Sequence, residues 1–480
     1  MRRRDFLELT GTALAAPAFH QEIQLKGLPR LDGALVREPA ALTEAAGDLG
    51  GVVERRPVAV LRPASAEDVV RMVRYANQHR LPIVMRGRGH SVNGQSLAGQ
   101  GIVIDSRPLR RARVQGRTLD VEAGASLADA AAAALDRGLA LPVMSPCTML
   151  SVGGFLSVGG ESFGTRRHGT FADQVASLDV VTGAGTLVTC SAERESELFE
   201  MTLAGMGQCG LIVRARLGLV PAPDQIATRV LTYQSVESFL HHQIRLATDL
   251  RIEHVSGQIL PHAGGTWRPV TTVTTLARGN AAPDPIELLE LDASVSAGEL
   301  VRSSYRDYVL GARRPLAESK ATAAESSSRE AARPRPAPEP SLAVWLPARA
   351  GHELVRILLA TPRLTAGAVG ILCRALPTAL FHRPLFRVPD EDIMLAVWIR
   401  RSVPGGHGPG LGAQLEANTM FLERALALGG KRYPPCGGEA SPDEWRHHYG
   451  EVIYRRFAAA KRRYDPERVL TPGVRVFESA

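Results

Sequence analysis

Arg86-Gly87-Arg88-Gly89-His90-Ser91-Val92-Asn93-Gly94-Gln95 follows directly on Leu81 to Met85, an apolar run that reads as a β-strand. Glycine lacks a Cβ, so Gly87, Gly89 and Gly94 let the backbone take positive φ and come close to a ligand. Successive amide N–H groups in such a turn form a concave anion site, and a diphosphate fits that description. The spacing is neither that of a Walker loop nor that of the GxGxxG fingerprint. A second glycine-rich stretch, Ser151-Val152-Gly153-Gly154-Phe155-Leu156-Ser157-Val158-Gly159-Gly160, is placed to line the other side of a long, flat molecule. Two such loops on one folding unit point to a dinucleotide site.

Pro57 to Val220, the chain around these loops, alternates strand and helix. Strands are predicted at Val58–Leu61, Ile102–Ile104, Leu119–Val121 and Leu211–Val220, and Val175–Val181 with Leu187–Cys190 reads as a hairpin around Gly183-Ala184-Gly185. Ser65-Ala66-Glu67-Asp68 and Ser126-Leu127-Ala128-Asp129 read as capping boxes that open two helices, the second stopped by Gly138. The order is α+β rather than a clean βαβ wind. Residues 222–428 are patterned more weakly. They include a stretch, 318–340, rich in Ala, Ser, Glu, Arg and Pro that cannot bury a core and reads as a mobile loop or linker. Strong patterning returns in residues 429–480.

A chain of 480 residues is long for one simple core and suggests two packed domains. With 45% hydrophobic and 22% charged residues, global disorder is excluded. The net charge of +8 is spread among acidic residues, with no long basic run, so no nucleic-acid partner is expected. Cys147, Cys190, Cys209, Cys373 and Cys436 include no CxxC pair, which argues against zinc. His447 and His448 are adjacent and therefore face different sides of a helix, which is no metal pair. No apolar run is long enough for an integral membrane helix. The N-terminus carries Arg3-Arg4-Asp5-Phe6-Leu7 and then Ala16-Pro17-Ala18, which read as a twin-arginine signal peptide over residues 1–18 and export from the cytoplasm.

Gly87-Arg88-Gly89-His90-Ser91 together with Ser151-Val152-Gly153-Gly154 resembles the FAD domain of the vanillyl-alcohol oxidase and p-cresol methylhydroxylase (PCMH-type) flavoproteins. Further runs resemble the cytokinin dehydrogenases within that superfamily. They are Leu178 to Gly183, Ser196-Glu197-Leu198-Phe199, Gly207-Gln208-Cys209-Gly210, Val388 to Asp392, Trp445 to Gly450 and Leu470-Thr471-Pro472-Gly473. The resemblance implies a two-domain fold: an FAD domain from about residues 50–221 and 429–480, and a substrate domain, 222–428, covering the reactive face. It also implies an FAD bonded to His90. Met85, Gly87, Arg88, Gly89, Ser91, Gln95, Ser151, Ser157, Leu211 or Ile212, Tyr433 and Thr471 are then expected to line the cofactor. Val474 stands where the family usually has Gln.

The expected activity is hydride transfer from a small organic substrate to the flavin, with oxygen or another acceptor taking the electrons onward. The resemblance does not carry over at every position. The family's proton-accepting Asp maps onto Pro146, a second acid maps onto Ser256, and a substrate-contacting Trp has no counterpart near Leu372 to Arg383. Proline cannot accept a proton, so the flavin platform is present but the amine-specific machinery is not. Cys147 stands six residues before Gly153. In the berberine-bridge branch of the superfamily a cysteine so placed forms a second flavin bond. Two other readings therefore stand beside the first: an alcohol or sugar oxidase with bicovalent FAD, and a flavin carrier without a base.

Overall fold

In β10 (Leu211–Gly218), Val213, Ala215 and Leu217 are buried, while the alternating Arg214 and Arg216 reach outward to Asp120 and Asp179 on the neighbouring strands. That period of two, apolar inward and charged outward, is what makes the segment a half-buried strand. The computed structural model describes residues 25–291, 293–310, 337–403 and 409–477, and the fold is α+β. The proposed signal peptide lies outside the described residues.

Strands β1 (Ala34–Val36), β2 (Ala59–Arg62), β3 (Ile83–Arg86) and β4 (Ile102–Asp105) form a sheet in the order β1-β2-β4-β3. β2, β4 and β3 are parallel. β5 (Ala112–Gln115), β6 (Thr118–Glu122), β8 (Val175–Val181), β9 (Leu187–Ser191) and β10 form an antiparallel sheet ordered β5-β6-β10-β8-β9, and β7 (Leu139–Ala140) pairs with β11 (Val220–Pro221). The third sheet has nine strands: β12 (Gln225–Tyr233), β13 (His254–Pro261), β14 (Trp267–Ala277), β15 (Val295–Ala297), β16 (Val301–Ser304), β17 (Leu342–Pro347), β18 (Ala368–Pro377), β19 (Ile393–Arg401) and β20 (Lys431–Arg432). Every pairing in it is antiparallel. Helices Val236–Ala247, Ala348–Ala360 and Pro409–Ala427 cover one face and bury Phe239, Leu240, Leu354, Val355, Leu358 and Phe421 with the apolar side of the strands.

Ser126 forms the expected capping box with Asp129. Ser65 does not, although it does precede the helix Ala66–Gln78. Its intended partner, Asp68, is wholly buried and accepts instead from the amides of Asp32 (2.8 Å), Gly33 (2.9 Å) and Ala64 (2.9 Å). Three other backbone donors, two of them over thirty residues away, outcompete the single local amide of Ser65. The low-complexity stretch also departs from expectation where it is described. Its residues up to 336 lie outside the described residues, but its end is tied down: Glu339 N donates to Gly50 O at 2.9 Å and Val403 N to Pro338 O at 3.0 Å.

After β20 the chain returns to the first two sheets. Helices Pro442–Tyr449 and Glu451–Tyr464 place Trp445, Tyr449, Phe457 and Tyr464 in the same core as Leu178, Phe199 and Leu217. His448 is buried and His447 exposed, and no group of metal-binding residues occurs among the described residues. Lys461 and Asp465 then anchor the final segment. Lys461 Nζ donates to Asp465 Oδ2 (2.6 Å), Gln208 O (2.9 Å) and Leu470 O (3.1 Å). Leu470 pairs in parallel with Ile83, so the C-terminal segment lies beside β3.

Candidate active site

The loop after β3 leaves the carboxyl end of a parallel sheet, the usual place for ligand loops in such sheets. Gly89 and Gly94 have φ of +68° and +77°, so two of the three expected positive-φ positions are real, and Gly87 is not one of them. Gly87 is required for a different reason. A Cβ there would lie 1.9 Å from Ser151 Oγ, so the two glycine-rich loops touch. Ser151 caps the six-residue helix Val152–Ser157 by accepting from Gly154 N at 3.3 Å, and Ser157 Oγ donates to Gly153 O at 2.7 Å.

The anion-site expectation needs correction at the end of the first loop. Asp48 Oδ2 accepts from Gly94 N (2.8 Å) and Ser91 Oγ (2.9 Å), and Gln95 Oε1 accepts from Asn93 N (3.0 Å). Two loop amides are thus committed to protein groups. Gln95 Nε2 also donates to Pro434 O and Pro435 O, both at 3.2 Å, tying the loop to the C-terminal return.

All the residues expected to touch the cofactor line one cavity: Met85, Gly87, Arg88, Gly89, His90, Ser91, Gln95, Cys147, Ser151, Ser157, Leu211, Ile212, Tyr433 and Thr471. It measures about 2050 Å³ with its open mouth included. Thr471 is set by tertiary contacts: its amide donates to Ile83 O (2.9 Å) and its carbonyl accepts from Gln208 Nε2 (3.0 Å). His90 Nε2 stands 3.4 Å from Cys147 Sγ, so the two candidate attachment residues meet. Burial first, then the charges of Arg86 and Arg88, bring the His90 pKa down to about 4, and the imidazole is neutral at neutral pH. Two touching glycine loops, a neutral histidine on the first of them and a long cavity fit FAD.

The opposite wall comes from one face of the nine-stranded sheet. Ser256 and Gln258 on β13, Leu372 and Arg374 on β18, and Trp398 and Arg400 on β19 line the cavity. Each pair is two residues apart, and Leu372 faces both Gln258 and Trp398 in register. The alternating Ile259, Ile371, Cys373, Val397 and Ile399 pack into the core on the other face. Pro146 and Ser256, the two positions where acids are missing, are both at the cavity.

Sequence reasoning missed Glu161, Arg374 and Trp398. Glu161 directly follows the second glycine loop, where a lone carboxylate was a usable signal. Its side chain is 4% exposed, and its Oε2 accepts from Arg374 Nη2 at 2.7 Å. Its Oε1 and Trp398 Nε1 are buried without a hydrogen-bond partner among the described residues. A tryptophan does line the cavity from the next strand, Trp398 on β19.

Residues 57–191 match the family model for the FAD binding domain, and residues 338–477 match the model described as cytokinin dehydrogenase 1, FAD and cytokinin binding. An uncharacterized oxidoreductase, ORF5 in the fasciation locus of Rhodococcoides fascians, is 30% identical over 91% of this chain and 97% of its own length. Cytokinin dehydrogenase 7 of Oryza sativa subsp. japonica is 31% identical over 91% of this chain and 90% of its own. Cytokinin dehydrogenase 10 of the same plant is 32% identical over 91% and 87%. A solved 6-hydroxy-D-nicotine oxidase from Arthrobacter nicotinovorans shares the PCMH-type fold, with a TM-score of 0.70, 21% identity and coverage of 92% of this chain and 97% of that one. The chain belongs to the cytokinin dehydrogenase family and is an FAD-dependent oxidoreductase.

Proposed function

We propose that FAD lies along this cavity, bonded through His90, and that a small organic substrate held against the sheet face is oxidised by hydride transfer. The observation that carries the reading is the neutral imidazole of His90 on the first glycine loop, 3.4 Å from Cys147 Sγ. A neutral imidazole keeps a lone pair and is nucleophilic, which is what bond formation to the cofactor requires. Met85, Gly87, Gly89, Ser151, Ser157 and Thr471 would hold the cofactor through backbone groups and short side chains. Bound FAD supplies the two-electron acceptor. The chain binds and orients the substrate with Ser256, Gln258, Leu372 and Trp398. Oxygen or another acceptor completes the cycle. Export through the twin-arginine sequence at Arg3-Arg4 belongs to the same proposal, since that route carries proteins already folded around a cofactor.

Intact-mass measurement on acid-denatured protein tests the attachment. Wild type should carry the mass of one FAD, and His90→Ala should lose it. The Cys147 contact favours a second reading, bicovalent attachment. In that case His90→Ala keeps the added mass, and only the His90→Ala/Cys147→Ser pair releases it. Wild-type protein that sheds all its flavin in acid refutes both.

A further inference from the structure

Glu161 has a feature that the flavin site does not use: a carboxylate oxygen, Oε1, buried at the cavity with no hydrogen-bond partner among the described residues. A buried acceptor left without a partner is costly, and more so when it is charged, so such an atom is a candidate for a ligand contact. The other oxygen is fixed by Arg374 at 2.7 Å, which aims the group. Backbone pairing explains its location. Met144 and Phe163 form an antiparallel bridge, with Met144 N donating to Phe163 O at 3.0 Å. Two residues out along the two segments stand Pro146 and Glu161. The carboxylate missing at position 146 thus has a counterpart on the adjoining segment.

We propose that Glu161, positioned by Arg374, is the proton acceptor of this enzyme for a substrate bearing an N–H or O–H on the carbon to be oxidised, an amine or an alcohol. The inference rests on the FAD-dependent reaction proposed above. The C–H bond breaks with its electron pair leaving as hydride to bound FAD. The N–H or O–H bond breaks with its proton going to Glu161 Oε1, and a C=N or C=O double bond forms. Trp398 Nε1, also without a hydrogen-bond partner among the described residues, offers a donor to an acceptor on the same substrate. The groups facing Glu161 are Arg374 from β18 and Tyr433 after β20. Burial pushes the carboxyl upward and the Arg374 charge pulls it partly back. Arg374 is a positioning residue.

The test uses the holoenzyme, mixed anaerobically with isopentenyladenine, benzylamine or benzyl alcohol while flavin bleaching is followed. For the probe that reduces wild type fastest, Glu161→Gln should be slower by about 10²–10⁴-fold, the usual worth of a placed base. The acid limb of the wild-type pH profile should vanish in that variant. In Arg374→Gln the limb should move to higher pH, because loss of the guanidinium raises the carboxyl pKa. Infrared difference spectra give a readout independent of turnover: a buried carboxyl band that grows as pH falls in wild type should be missing from Glu161→Gln. Unchanged flavin content shows that the variants fold. Equal reduction rates in wild type and Glu161→Gln overturn the assignment while leaving the flavin attachment, scored by mass, untouched. Wild-type enzyme that none of the three probes reduces overturns the substrate class.

Discussion

Asp465→Ala removes a carboxylate that is wholly buried and that organises the C-terminal return of the chain to the cavity. Asp465 Oδ2 pairs with Lys461 Nζ at 2.6 Å and accepts from Leu470 N at 3.0 Å, while Oδ1 accepts from Val469 N at 3.1 Å. The Lys461 side chain is itself only 6% exposed. Removing one partner of such a pair leaves an uncompensated buried charge and typically costs about 3–5 kcal/mol. An unfolding entropy of about 2.1 cal/mol/K per residue, taken over the compact unit Leu31–Ala480, comes to roughly 0.9 kcal/mol/K. The loss therefore corresponds to a fall in Tm of roughly 3–5 °C. Thermal unfolding followed by circular dichroism measures it. The same variant should carry less flavin, because Leu470 and Thr471 lose the anchor that seats them beside β3. The double variant Lys461→Met/Asp465→Ala should recover part of the loss by removing the stranded ammonium, but not all, since the Val469 and Leu470 amides stay unpaired. A Tm shift below about 1 °C in the single variant, or no recovery in the double, would refute the reasoning.

Stability should also depend on pH in a defined window. Burial is the leading cause that lowers the pKa of His90 to about 4 and of His254 to about 3, against 6.5 for the free side chain. Below pH 6.5 the unfolded chain takes up protons that the folded chain refuses, so stability falls as pH drops from about 6.5 towards 4. Urea midpoints of flavin-free protein measure this, and His254→Gln should flatten the slope; a midpoint that rises on acidification contradicts it. Replacing Arg3 and Arg4 together by Lys should hold the protein in the cytoplasm, read by fractionation of expressing cells, and unimpaired export would rule out the twin-arginine route.

Much of the cavity was legible because its determinants are local. The glycines at 87, 89 and 94 mark a turn whatever surrounds them, and the Ser126–Asp129 box closes within one helical turn. The failures share the opposite property. Ser65 was read from its neighbours, but Asp68 was claimed by the amides of Asp32, Gly33 and Ala64. Asn93 and Gly94 looked free for an anion, but Gln95 and the distant Asp48 take their amides.

Sequence alone determined the α+β class, the two glycine loops, the histidine within the first of them and the absence of a carboxylate at Pro146. Each follows from residue type and short spacing, which the chain carries into any fold. Tertiary structure decided which groups face the cofactor's partner. Glu161 and Arg374 lie 213 residues apart, and Trp398 reaches the site only because β19 pairs with β18 in a register that sets it opposite Leu372. A shift of one residue in that register would turn Trp398 to the helical layer and bring its core neighbours to the cavity. Strand register is settled by burying one whole face at once, a property of nine strands together that no single stretch encodes.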